Sequence, residues 1–208
     1  MSVFSRVEAA YVTGARRLFA PVAAWLVGGP VTPNGLTVAG LLLNVGTVPL
    51  IVSGHFVWAS LVFLLASVCD MLDGAVARLA RQVTPFGAFL DSTSDRVAEG
   101  ITLGALGVYY ARADQFWVVG AIFVALVASF LVSYTRARAE ALGLECKVGL
   151  MSRPERIFIL MTGFLLSHWH VLLTVAVYVL AVLTSYTVGQ RILHVRSQMC
   201  RAGADEGL

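Results

Sequence analysis

Long apolar runs separated by short polar turns make up most of this chain. A helix needs about 20 apolar residues to cross the hydrocarbon core of a bilayer. Six stretches are read as spans on that measure. They are Thr32 to Val52, opened by Pro33-Asn34; Phe56 to Arg81, after the turn Ser53-Gly54-His55; Pro85 to Tyr110; Gln115 to Glu140; Pro154 to Leu166; and Val171 to Leu193. The fifth is short unless Arg153 begins it and Ser167 ends it. The pattern predicts an all-α integral membrane protein with six transmembrane helices plus an N-terminal amphipathic interfacial helix. One membrane domain covers residues 1–208: an interfacial segment over 1–29, a six-helix core over 32–193 and a polar, frayed tail over 197–208. No sequence repeat or low-complexity tract stands out.

The N-terminus raises the question of a cleaved signal, because Arg16 and Arg17 precede the apolar run Leu18 to Val27. That run ends in Gly28-Gly29-Pro30 without a small-x-small site, and a long stretch containing Glu8 precedes it. A retained helix lying on anionic lipid fits better.

Composition agrees with a membrane chain. Of 208 residues, 58% are hydrophobic and 13% are charged, against about 25% charged in a soluble domain. The net charge of +3 is too small to point to nucleic acid. Cys69, Cys146 and Cys200 are scattered and odd in number, which argues against a disulfide framework or a cysteine metal site. The placement of the basic residues is more informative. The turns at Ser53 to His55, Ala111 to Gln115 and Ser167 to His170 carry only Arg112. The other basic residues fall at the opposite ends of the spans. The positive-inside rule then puts both termini in the cytoplasm.

Charge inside the apolar runs is the main chemical signal. Asp70, Asp73, Gly74, Ala77, Arg78, Gly87, Asp91 and Asp95 form the pattern D-x2-D-G-x2-A-R-x8-G-x3-D-x3-D. Ionised groups in a span are costly and point to function. Asp70 and Asp73 share one helix face at i,i+3, and Asp91 and Asp95 share another at i,i+4. A short turn around Thr84-Pro85 makes the two helices antiparallel neighbours, so the acidic faces meet on the cytoplasmic side. Adjacent carboxylates repel unless cations neutralise them. Hard oxygen ligands suit Mg²⁺ or Mn²⁺, and this many carboxylates suit two ions, a clamp for phosphoryl chemistry. Arg78, one turn beyond Gly74, is placed for a phosphate. Gly74, Ala77 and Gly87 leave room for a ligand against the helix backbone; close helix packing is the other reading of each alone.

This pattern matches that of the CDP-alcohol phosphotransferase family at every fixed position, and the chain resembles that family along its length. The resemblance implies transfer of a phosphatidyl group from CDP-diacylglycerol to an alcohol, with release of CMP. It implies two metal ions on Asp70, Asp73, Asp91 and Asp95, with Asp95 also the general base. It implies contacts to the CDP-lipid from Gly74, Ala77, Arg78, Thr84 and Gly87, and from Pro33, Asn34, Gly35 and Leu36 at the entry to the first span. It also implies a homodimer in the cell membrane.

The acceptor is read from the ends of later spans. Ser133, Arg136, Arg138 and Glu140 precede Lys147, and Arg153, Glu155 and Arg156 follow. Such a basic cluster suits an acceptor bearing a phosphate, although cytoplasmic helix ends are often basic as anchors. The runs S-Y-x-R-A-R-A-E-x-L-G and G-L-x-x-R-x-E-R resemble the inositol-phosphate branch of the family. That resemblance implies inositol 1-phosphate as acceptor, its phosphate held by Ser133, Arg136, Arg138, Arg153 and Arg156, with Arg191 or Arg196 from the last span. Glycerol 3-phosphate, and an ether-lipid donor, are the alternatives.

Other signals are weaker. Glu99 continues the face of Asp91 and Asp95, either supporting the metal site or pairing with Arg96. His55, His168 and His170, near Trp58, Trp117 and Trp169, read as interfacial residues. A cation channel or transporter is the rival class. Against it, Asp114 is the only acid near the outer face, so no second set of ligands continues a path across.

Overall fold

The chain's structure, a computed structural model, describes residues 20–205; of the interfacial segment expected over 1–29, the part before residue 20 lies outside them. Helix α1 covers residues 20–27. It is followed by α2 (Pro33–Val52), α3 (Phe56–Leu79), α4 (Pro85–Arg112), α5 (Phe116–Ala141), α6 (Arg153–Leu165) and α7 (His170–Asp205). No strand occurs among the described residues.

Local chemistry sets the helix ends. At the start of α2, Thr32 Oγ1 accepts the Gly35 N–H at 3.1 Å; at the start of α4, Thr84 Oγ1 accepts the Gly87 N–H at 3.0 Å. Each threonine caps a helix whose first residue is proline, which needs no N–H partner there. Helices α2, α3, α4 and α5 end in one way. The second residue after the helix turns left-handed, at Gly54, Arg81, Asp114 and Gly143. The next N–H then reaches back: His55 to Leu50 O (2.8 Å), Gln82 to Ala77 O (2.9 Å), Gln115 to Tyr110 O (3.0 Å) and Leu144 to Ala139 O (2.9 Å). This is the Schellman geometry, which satisfies carbonyls that a bare helix end leaves open.

α2, α3, α5 and the Val171–Cys200 part of α7 are long and apolar enough to cross a membrane. α4 has the length but carries Asp91, Asp95, Arg96 and Glu99. α6 has 13 residues, or roughly 20 Å at about 1.5 Å per residue, less than the hydrocarbon thickness of about 30 Å. The last helix differs from expectation at its end. It continues to Asp205, so residues 197–205 are helical rather than frayed. No proline follows Leu193, and Arg196, Gln198 and Met199 are good helix formers.

The chain divides into two compact units, and the divisions fall within α2, α3 and α4. In the first (Met1–Thr47, Leu61–Ala98), Ala23 of α1 packs with Leu72 and Val76 of α3, ringed by Leu26, Leu36, Val68 and Ala75. Gly40 lets α2 approach α3 closely: a Cβ there would lie 3.2 Å from the Ala66 carbonyl oxygen and 3.4 Å from Cys69 Cβ. The second unit (Val48–Ser60, Glu99–Leu208) holds the larger core, including Ile51, Leu103, Leu106, Phe164, Val177 and Leu180. There Phe56 stacks on Phe164 with centroids 5.8 Å apart and meets Tyr109 edge-on at 4.8 Å. Trp58, Trp117 and Trp169 are exposed.

The left-handed positions give paired expectations for stability. A side chain in this conformation costs about 1–2 kcal/mol. Gly54→Ala should therefore lower unfolding free energy by roughly 1 kcal/mol, and Arg81→Gly should not lower it. Denaturant titration in detergent micelles measures both; a loss in Arg81→Gly equal to that in Gly54→Ala would contradict the assignment.

Candidate metal and phosphate site

The acidic residues lie in the first unit, on α3 and α4. Asp70, Asp91 and Asp95 come together, each offering a carboxylate oxygen within 4.8 Å of the others. All three are half-buried, so water screens their mutual repulsion only in part. Asp95 Oδ2 has Arg96 Nη1 at 3.7 Å, and the same guanidinium donates to the Ser92 carbonyl. The donor set is hard oxygen and negative, which fits Mg²⁺ or Mn²⁺.

Asp73 stands outside this group of three. It is buried, and its Oδ2 accepts a 2.5 Å hydrogen bond from Thr37 Oγ1 on α2. The register of the antiparallel pair produces this contact. Gly40 packs against Ala66 and Cys69, so Thr37, about one turn earlier on α2, reaches Asp73, about one turn later on α3. Thr37 also faces the Pro33 carbonyl at 3.2 Å. Sequence reasoning did not single out Thr37.

The small residues fall where side chains of the same unit come close. The Arg78 guanidinium lies over Gly74, where a Cβ would be 3.2 Å from Nη1. Ala77 beside it is half-buried, and Arg78 itself is exposed. At Gly87 a Cβ would lie 3.1 Å from Thr84 Oγ1 and 3.2 Å from Asn34 Oδ1. The first turns of α2 and α4 thus sit side by side. Their first-turn N–H groups and positive dipole ends favour an anion. A readable sign of this pairing is Thr-Pro-x-Gly, which occurs at Thr32–Gly35 and again at Thr84–Gly87. Pro33 and Gly35 belong to the first of these turns, and Leu36 packs into the apolar cluster beneath it.

The basic residues expected at the acceptor lie in the second unit. Arg156 is buried and forms a bidentate pair with Glu99, Nε to Oε1 at 2.6 Å and Nη2 to Oε2 at 3.1 Å. Its Nη1 donates to the Met151 carbonyl at 3.3 Å. Glu99 therefore pairs with Arg156 and not with Arg96, which turns to Asp95 and Ser92. Arg191 is also buried, with Nε on the Val148 carbonyl at 2.9 Å and Nη1 on the Val132 carbonyl. Arg136 pairs with Glu140 at 2.8 Å. Arg138 and Arg196 are exposed; Ser133 and Arg153 are half-buried.

Comparison with known proteins agrees with this chemistry. The sequence profile of the CDP-alcohol phosphatidyltransferase family matches residues 30–187. The chain is 41% identical over 179 residues to a phosphatidylinositol phosphate synthase of Corynebacterium glutamicum, covering 83% of this chain and 81% of the relative. The crystal structure of Mycobacterium tuberculosis phosphatidylinositol phosphate synthase with CDP-DAG bound superposes with a TM-score of 0.81 at 35% identity, covering 86% of this chain and 94% of that one. The same enzyme in complex with manganese and citrate gives a TM-score of 0.77 at 35% identity, over 85% and 88% of the two chains.

The Thr37–Asp73 bond yields a direct expectation. Thr37→Val keeps the shape but removes the donor to a buried carboxylate, a loss of about 1–3 kcal/mol. If Asp73 serves the same ions as its neighbours, Mn²⁺ binding should weaken by roughly tenfold, and Thr37→Ser should remain near wild type. Calorimetric titration with Mn²⁺ in detergent reads the difference; equal affinity in Thr37→Val would separate Asp73 from the metal site.

Proposed function

This chain belongs to the CDP-alcohol phosphatidyltransferase family, and on that premise we propose that it is a phosphatidylinositol phosphate synthase. In the reaction, a hydroxyl of inositol 1-phosphate attacks the β-phosphate of CDP-diacylglycerol. The phosphatidyl group passes to the inositol oxygen and CMP leaves. The observation that carries the reading is the convergence of Asp70, Asp91 and Asp95 within a fully matching family motif. The phosphatidylinositol phosphate synthases similar to this chain support the choice of acceptor.

Asp70, Asp73, Asp91 and Asp95 would hold two Mg²⁺ or Mn²⁺ ions, which when bound neutralise pyrophosphate charge and stabilise the attacked and leaving oxygens. Asp95 takes the proton from the attacking hydroxyl, which is a poor nucleophile until a base removes it. Arg78, lying over Gly74, pairs with the donor's phosphates, and Ala77 leaves that face open. Pro33, Asn34, Gly35 and Leu36, with Thr84 and Gly87, present the paired helix starts to the nucleotide. Ser133, Arg136, Arg138, Arg153, Arg156, Arg191 and Arg196 supply the contacts to the acceptor's phosphate. Arg156 and Arg191 do so from positions fixed by Glu99 and by backbone carbonyls.

The reading includes a place in the cell membrane. α4 and α6 complete six spans with the four apolar helices, with both termini and the site on the cytoplasmic side. The clustering of basic residues at those ends supports this orientation. The chain acts as a homodimer, as the family resemblance implies.

Two expectations follow from the assigned roles. Asp95→Asn should lower kcat by about 10²–10⁴ while CDP-diacylglycerol still binds, because Asn offers an oxygen but accepts no proton at neutral pH. Substantial turnover would place the base elsewhere. For the acceptor, CMP release is measured with inositol 1-phosphate, glycerol 3-phosphate, free inositol and serine in parallel, with acyl and ether CDP-lipids as donors. Inositol 1-phosphate should be the substrate, in a reaction abolished by chelator. Arg138→Gln should raise its KM by about tenfold with donor affinity unchanged. Efficient use of glycerol 3-phosphate without inositol 1-phosphate would instead make the chain a phosphatidylglycerophosphate synthase.

A further inference from the structure

The segment between α5 and α6 has no regular secondary structure over residues 144–149, yet one face of α7 holds its backbone. Thr187 Oγ1 accepts the Met151 N–H at 3.1 Å, and Gln190 Oε1 accepts the Leu150 N–H at 3.2 Å. Arg191 Nε donates to the Val148 carbonyl at 2.9 Å, and Gln198 Nε2 donates to the Glu145 carbonyl at 2.7 Å. The loop positions fall as the α7 positions rise, so the loop runs antiparallel along the helix. Thr187, Gln190, Arg191 and Gln198 share one helix face.

Gly149 completes the fit. Its φ of +129° disfavours any side chain, and a Cβ there would lie 2.5 Å from Thr187 Cγ2. The glycine brings backbone directly onto the helix. Cys146, next to Glu145 in the strapped segment, is 1% exposed. The chain then enters α6, where Arg156 Nη1 binds the Met151 carbonyl and its other nitrogens hold Glu99. A continuous set of contacts thus links Gln198 to Arg156. Gln198 lies beyond Leu193, so one of these contacts comes from the last turns of α7.

We propose that this face of α7 is a rail that positions the 145–151 loop, and through it Arg153 and Arg156, for the phosphorylated acceptor. Gln190 and Gln198 are positioning residues, not groups that touch the acceptor. The proposal rests on the functional reading above. The two glutamines act with opposite polarity: Gln190 accepts a hydrogen bond and Gln198 donates one. The backbone partners dictate this orientation of each amide.

That polarity provides the test. Gln190→Glu keeps the acceptor and Gln198→Lys keeps a donor, so both should behave as wild type. Gln190→Lys and Gln198→Glu lose the bond, and each should raise the KM for inositol 1-phosphate by about three- to tenfold, with kcat and the KM for CDP-diacylglycerol unchanged. A general attraction of lysine for the phosphate predicts the reverse at Gln190. Alkylation of Cys146, followed site by site by mass spectrometry in the full-length protein, reads loop strapping without reference to turnover. Its rate should rise in Gln190→Lys and Gln198→Glu only. Wild-type rates and KM values in those two variants would overturn the proposal, as would equal losses for donor and acceptor. If the wild-type protein uses another phosphorylated acceptor, the reading of the acceptor fails; the same KM comparison with that acceptor, beside the Cys146 rates, still decides whether the rail exists.

Discussion

Mutual repulsion among carboxylates is the constraint on which the rest of this structure depends. Asp70, Asp91 and Asp95 bring oxygens within 4.8 Å of one another in a chain that is 58% hydrophobic. Like charges at that spacing, partly removed from water, repel one another unless a cation intervenes. Arg96 is 3.7 Å from Asp95 and divides its donors with Ser92, so it offsets only part of that charge. A divalent ion neutralises several carboxylates at once. The energetic burden on the apo site is therefore also its affinity for metal, and that links the fold to phosphoryl chemistry.

The surrounding helices keep these groups in place by local means. Thr32 and Thr84 cap α2 and α4, and Gly40 and Gly87 permit the approaches that follow. Thr37 then meets Asp73 because the close approach of α2 to α3 at Gly40 brings the two into register. In the second unit the polar work is done by long side chains reaching backbone. Arg191 and Arg156, both buried, serve carbonyls as well as charge. Breaking either would leave several groups unsatisfied, a larger cost than that of an exposed ion pair.

Much of this was legible in the chain. The spacing of Asp70, Asp73, Asp91 and Asp95 put the acids on faces of α3 and α4, where Asp70, Asp91 and Asp95 converge and Asp73 turns to Thr37, and their family pattern named the chemistry. The apolar runs marked the helices to within a few residues except at the end of α7. There the loss of hydrophobicity after Leu193 hid a helix that no proline stops. Contacts between distant residues were not legible. Glu99 and Arg156 are far apart in sequence, so local spacing offered only the metal site or Arg96 as its partner. Thr37 looked like an ordinary apolar-span residue, and only helix register reveals its partner. The repeated Thr-Pro-x-Gly is a visible signal of the paired helix starts, although four residues are too few to stand out as a repeat.

The central claim is that these carboxylates form a site for two divalent ions. Electron paramagnetic resonance of the purified protein titrated with Mn²⁺ tests it most directly. The account predicts two ions bound per chain, with a spectrum broadened by coupling between neighbouring Mn²⁺ centres. A single uncoupled Mn²⁺, or no binding at all, would contradict it.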